Sequence, residues 1–127
     1  MIRLLLISFF VMMFNVQAYA LELLMFHNKY CGYCNKFIKE VALEYNIESL
    51  PLKIIDAYNQ PGWFKLAKEE GRVQPIIGTP TFIIFDETKL VEVNRITGYS
   101  GVEWFYTSLK EKLEEGQKLY EKKENDN

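Results

Sequence analysis

Residues 29–37 read "KYCGYCNKF" and hold the only two cysteines of the 127-residue chain, with two residues between them. Such a pair has three readings: part of a metal site, a structural disulfide, or a reactive dithiol. A structural zinc site takes four ligands, and the sequence offers Cys31, Cys34 and its single histidine, His27. Without a partner or a carboxylate that set is incomplete. A purely structural bridge gains most where it closes a long loop, and this one closes a very short one. The dithiol reading accounts for the placement. Leu21 to His27 ("LELLMFH") is apolar nearly throughout, as a buried central strand is. Phe37, Ile38, Val41, Ala42 and Tyr45 then recur at helical spacing, which predicts a helix from about Cys31 to Tyr45. The pair therefore sits where a strand gives way to a helix. There Cys31 meets unpaired backbone N–H groups and the positive end of the helix dipole, and both favour the thiolate, which is the attacking species. Cys34, one turn later, is placed to resolve a mixed disulfide. Gly32 leaves the approach uncrowded, and Tyr33 adds an aromatic ring beside the sulfurs.

Outward from this point the chain alternates short strands and helices. Pro51 to Ile55 ("PLKII") predicts a second strand. Pro61 opens a second helix in its first turn, where a missing N–H costs nothing. Trp63, Phe64 and Ala67 give that helix an apolar stripe, and Gly71 stops it. Residues 72–79 form a loop. Thr81 to Phe85 ("TFIIF") is rich in β-branched and aromatic residues. Asp86 to Lys89 turns it back into Leu90 to Ile96 as an antiparallel hairpin. Ser100 and Glu103 have the spacing of a capping box. Val102, Phe105, Leu109 and Leu113 lie on one face of the helix behind it, which runs to about Leu119. The order is βαβαββα. A right-handed parallel βαβ unit joined to an antiparallel hairpin gives an α/β fold: a four-stranded mixed sheet with helices on both faces. Gly78-Thr79-Pro80-Thr81 stands just before the hairpin. Its proline is a candidate cis bond in a tight turn, the alternative being a trans proline at the first position of a strand.

Composition sets bounds on function. Hydrophobic residues make up 49% of the chain and aromatics 15%, enough for one core. The net charge is −2 and no lysine- and arginine-rich block exists to grip phosphates, so nucleic acid is not an expected partner. Residues 1–20 read as a secretory signal peptide. Arg3 supplies the positive end, Leu4 to Phe14 the apolar run, and Ala18 and Ala20 the small residues before cleavage. An uncleaved anchor is the alternative, but that run reaches only about 16 Å as a helix, roughly half a hydrocarbon core. The expected organisation is a signal peptide at 1–20, one domain at 21–120 and a charged, frayed tail at 121–127. The mature chain is expected in the periplasm or secreted, where disulfides persist, with no stable membrane anchor.

Residues 21–115 resemble a minimal thioredoxin-fold protein: C-x-x-C opening a helix after a buried strand, then "GTP" opening a hairpin strand. "CGYC" with Thr79 before Pro80 is similar to the catalytic domain of periplasmic disulfide isomerases of the DsbC type. "ELLMF", C-x-x-C, "GTPTFII" and "GYSG" together are similar to small periplasmic thioredoxin-like regulatory proteins of sulfur-oxidation systems. The resemblance implies that Cys31 attacks, that Cys34 resolves, and that the Thr79-Pro80 loop faces them and pairs with substrate backbone. By the same analogy Tyr30, Tyr33, Ile77 and Tyr99 form a small apolar rim for substrate. It also implies disulfide-bearing protein substrates, a thiol/disulfide electron-exchange partner, no separate cofactor, and a monomer, since no room remains for a dimerisation domain. Met25 stands where thioredoxins place a buried aspartate, and Tyr30 and Tyr33 stand where they place Trp and Pro. The resulting expectation is an exported thiol–disulfide oxidoreductase working in the reducing or isomerising direction. Two alternatives remain: a non-enzymatic redox-regulatory binding module using the same groove, and a metal or cluster carrier.

Overall fold

The computed structural model describes residues 20–126. Of the expected signal peptide, only Ala20 falls among them. The elements are β1 (Leu21–His27), α1 (Gly32–Phe37) continued by a π-helical turn (Ile38–Ala42), β2 (Leu52–Asp56), α2 (Gly62–Glu69), β3 (Thr81–Asp86), β4 (Val91–Thr97) and α3 (Val102–Asn125). The sheet order is β2-β1-β3-β4. The β1–β2 pair is parallel, with Phe26 opposite Ile55. The other two pairs are antiparallel, with Met25 opposite Phe82 and Phe82 opposite Ile96. This is the expected thioredoxin-like α/β architecture, with a mixed four-stranded sheet and three helices.

Strand alternation divides the core into two layers. Leu23 and Met25 point to one face and pack with Cys34, Phe37, Phe82, Ile84, Phe105 and Leu109 from α1, β3 and α3. Leu24 and Phe26 point to the other and pack with Phe64 and Ala67 of α2 and with Ile83 and Phe85 of β3. Both faces of β1 and β3 are covered, which is why those strands read as continuous apolar runs.

Local chemistry explains the boundaries. Pro61 is the N-cap of α2, and its carbonyl accepts from the N–H groups of Phe64 and Lys65 at 3.0 and 3.1 Å. Gly71, at φ 74°, closes the helix, after which the Arg72 N–H reaches back to the Ala67 carbonyl at 2.8 Å. At the hairpin the buried Asp86 carboxylate accepts from the N–H groups of Thr88 and Lys89 with one oxygen. Its other oxygen accepts from the Tyr120 hydroxyl at 3.2 Å. One aspartate thus fixes the turn and pins the far end of α3. Gly116 lets α3 approach β4: a Cβ there would lie 2.6 Å from a methyl of Val93.

Four expectations need correction. The first helix does not reach Tyr45. It widens into the π-helical turn and ends at Ala42. The Glu44 N–H closes a tighter turn on Val41, and Tyr45 instead donates its hydroxyl to the Leu50 carbonyl at 2.5 Å, tying down the loop to β2. The Ser100/Glu103 capping box does not form. Gly101, at φ 108°, is the N-cap of α3, and its carbonyl accepts from Phe105 at 3.0 Å. Ser100 is therefore one residue too early for the box spacing. That shift also leaves Val102 exposed. Finally, α3 continues through residue 125, beyond the expected end at Leu119.

A buried acid lies on the α2 side of the sheet. Glu22 is 5% exposed, 3.7 Å from the Lys53 ammonium, in a recess also lined by Trp63 and Glu87. Burial, and then a hydrogen bond shared with Glu87, raise its pKa from 4.5 to about 7, against a smaller opposing pull from Lys53. The unfolded chain releases this proton near 4.5, the folded chain near 7. Between those values the folded state binds more protons, so this contribution to stability is full below pH 4.5 and is lost as pH rises toward 7. Urea denaturation of the wild type should show a loss on the order of 2 kcal/mol between pH 4.5 and pH 8. Glu22→Gln should remove at least half of that slope. An unaltered slope would assign the pH dependence to other groups.

Candidate active site

The site is built where β1 ends. The Asn28 carbonyl accepts from the Cys31 N–H at 3.1 Å, and the Asn28 side-chain oxygen accepts from the Tyr30 N–H at 2.9 Å. This turn delivers Cys31 to the N-cap position of α1, in an extended conformation (φ −82°, ψ 106°). There the Cys31 sulfur accepts from the Cys34 N–H at 3.1 Å. The two cysteines form a disulfide with Cα atoms 5.2 Å apart. Cys31 is partly exposed, whereas Cys34 is fully buried and belongs to the core layer of Phe37 and Phe82. Attack from outside is therefore open to one sulfur and closed to the other.

The second element is the loop between α2 and β3. The Thr79–Pro80 bond is cis. The Thr81 hydroxyl donates to the Gly78 carbonyl at 2.5 Å, and the Gly98 N–H to the Pro80 carbonyl at 2.9 Å. Asn28 reaches across, its side-chain N–H donating to the Thr79 hydroxyl oxygen at 3.1 Å. The loop is also held from β4: Arg95 donates to the carbonyls of Gln74 and Pro75 at 2.9 and 3.1 Å while paired with the Glu92 carboxylate at 2.6 Å.

Tyr30 and Tyr33 are strongly exposed beside the cysteines, at 83% and 66%, and Ile77 is 95% exposed on the tethered loop. Tyr99 does not join them. It is 3% exposed, its ring meets Phe37 edge-on at 5.4 Å, and its hydroxyl donates to Glu40 at 2.8 Å. Burial and then Glu40 push its pKa up to about 12. Tyr99 is thus a core residue that fastens the loop before α3 to the π-helical turn. The sequence reading missed Asn28, Glu92 and Arg95. Glu92 and Arg95 pair three residues apart, but the contacts that matter to the loop are distant. Arg95 reaches the carbonyls of Pro75 and Gln74, 20 and 21 residues away, and Asn28 reaches Thr79, 51 residues away, so no local pattern announces them.

Met25 is fully buried in the same layer as Cys34. The two buried acids, Glu22 and Asp86, lie toward the other end of β1, where they pair with the recess and the hairpin described above. Among the described residues, Glu22 and Asp86 are the only buried carboxylates. His27 is partly buried at the end of β1, and its carbonyl accepts from the Ala57 N–H at 2.8 Å. Among the described residues no group of three or more His, Cys, Asp or Glu side chains is disposed to hold a metal ion, and no helix is long and apolar enough to cross a membrane.

A C-x-x-C disulfide at the start of a helix, on a mixed sheet and beside a proline loop, defines the class of thioredoxin-like redox proteins. The thioredoxin-like domain model matches residues 19–113, and the chain belongs to that family. The periplasmic thioredoxin SoxS from Paracoccus pantotrophus, in its reduced form, is similar at 28% identity with a TM-score of 0.59, over 72% of this chain and 94% of that one. Thioredoxin NaTrxh from Nicotiana alata, at 23% identity and a TM-score of 0.52 over 74% of this chain and 75% of that one, shares the fold. So does a thioredoxin from Thermus thermophilus, at 21% and 0.51 over 76% and 75%. No curated protein matches the sequence. The family and the cysteine pair together establish a thiol–disulfide redox function.

Proposed function

We propose that the protein is an exported thiol–disulfide oxidoreductase that reduces or isomerises disulfides in protein partners. The observation that supports this most is the asymmetry of the pair, with Cys31 partly exposed at the helix start and Cys34 buried beneath it. In the reduced form the Cys31 thiolate, favoured by the Cys34 N–H and the helix end, attacks one sulfur of a substrate disulfide. A mixed disulfide forms and one substrate thiolate leaves. Cys34 loses its proton, which the departed substrate thiolate takes up, and attacks the Cys31 sulfur. The second substrate thiolate leaves and the Cys31–Cys34 disulfide is restored. Two electrons have passed to the substrate, and an external dithiol must supply two more to reset the site. Tyr30, Tyr33 and Ile77 are the apolar rim that receives the substrate, and the backbone of Thr79, presented by the turn at Pro80, pairs with an extended segment of it. Export is supported by the apolar run at residues 4–14 followed by Ala18 and Ala20, and by the periplasmic SoxS as a similar structure.

The test is reduction of insulin with dithiothreitol as electron source. The wild type should accelerate it well above the dithiothreitol background and should elute as a monomer. Equilibration with glutathione should place its potential between about −120 and −270 mV, the span of known exchange proteins. No acceleration, with a potential below that window, would leave a structural disulfide and overturn the proposal.

A further inference from the structure

The cysteine turn and the proline loop come from distant parts of the chain, and Asn28 touches both. Its two side-chain groups have fixed roles. The Tyr30 N–H can only donate, so the amide oxygen must face it, and the amide nitrogen is left to donate to Thr79. The Asn28 carbonyl meanwhile takes the Cys31 N–H. We infer that Asn28 is a positioning residue for disulfide exchange: it sets the spacing between the Cys31 sulfur and the substrate-pairing edge at Thr79. This rests on the function proposed above and adds the residue that assembles its groove.

The chemistry gives a specific pattern. A substrate disulfide must lie against the Thr79 edge while one of its sulfurs faces Cys31 in line. If the two sides drift apart, backbone pairing and sulfur attack are not satisfied by one pose. The loss then falls on productive binding more than on the chemical step. Asn28→Ala removes both side-chain bonds. Thr79→Val keeps the shape of Thr79 but removes the acceptor. Asn28→Asp keeps an acceptor for Tyr30 and can accept from the Thr79 hydroxyl, so the link survives with its donor and acceptor exchanged.

In insulin reduction, Asn28→Ala should raise KM about three- to tenfold with kcat changed less than about twofold. Thr79→Val should do the same. The double variant Asn28→Ala/Thr79→Val should be no worse than the worse single one, because both remove the same Asn28–Thr79 bond. Asn28→Asp should return KM to within about twofold of wild type, and should fail to do so on the Thr79→Val background. Amide exchange of residues 76–79 in the full chain should quicken in Asn28→Ala and return in Asn28→Asp. Multiplied KM effects in the double variant, a wild-type KM in Asn28→Ala, or a raised KM persisting in Asn28→Asp would overturn the inference. If the wild type does not reduce insulin, the proposed function falls, and the exchange data alone decide whether Asn28 docks the loop. Unchanged exchange in Asn28→Ala would then overturn it.

Discussion

Cys31→Ser should abolish disulfide reduction, lowering insulin turnover at least about a thousandfold, to the dithiothreitol background. Serine keeps the size and the N-cap acceptor of Cys31, so the helix start survives. What is lost is the sulfur: an alkoxide is scarce at neutral pH and forms no S–S bond. Stability should change little, because the bridge closes a loop of very few residues. Cys34→Ser should behave differently. Its Cys31 still attacks, but the buried partner that would resolve the adduct is gone, so mixed disulfides with substrate should accumulate and survive non-reducing electrophoresis. Iodoacetamide should modify Cys31 first in the reduced wild type, since Cys34 is fully buried. Equal turnover in both serine variants and wild type, or Cys34 reacting first, would refute the assignment of roles.

The largest loss of stability should come from Phe37→Ala. Phe37 is fully buried one turn after Cys34 and touches three other rings. Its centroid is 4.7 Å from Phe82, 4.9 Å from Phe105 and 5.4 Å from Tyr99, all close to edge-on. It joins α1, β3, α3 and the loop before α3. Removing a buried phenyl ring costs about 3–5 kcal/mol, a large part of the roughly 5–15 kcal/mol that holds a domain of this size. Urea denaturation of the oxidised protein should show that drop, with the melting temperature falling by well over 10 °C. Phe37→Leu should lose less than half as much. A loss under 1.5 kcal/mol for Phe37→Ala would mean that the surrounding rings collapse into the space, and that Phe37 does not hold these elements together.

The parts of this molecule that were legible in the sequence are those set by local chemistry. β1 and β3 are apolar runs because both their faces are covered. Asp86 makes the turn it was expected to make, and Pro61 opens α2 beside it in the chain. The cysteine pair sits at a strand-to-helix junction, as spacing alone indicated. Tertiary contacts decided the rest. Tyr99 was placed in the rim by the family resemblance alone, and nothing nearby in the chain showed Phe37 and Glu40 closing over it. Ser100 and Glu103 had the spacing of a cap, but the positive φ at Gly101 moved the helix start by one residue. Asn28 was an ordinary loop residue until Thr79 was seen beside it. The π-helical turn after Phe37 had no sequence signal at all. It places Glu40 within reach of Tyr99, a partner 59 residues away.

β1 begins beside Asp86 and ends at the cysteine turn, and the Tyr120 end of α3 is pinned to the same Asp86. Leu21 and Tyr120 therefore share one pole of the molecule, and the dithiol occupies the other, about 20 Å away along β1. A tether attached at either place would hold the protein like a lamp on a stalk, with the sulfurs facing away from whatever holds it. Immobilisation on a bead, fusion to a carrier or attachment to a surface through this pole would leave the redox face clear. A tag at Asn28, by contrast, would crowd the cysteine turn itself. The layout thus suits coupling to a support or a partner domain without loss of access to the disulfide.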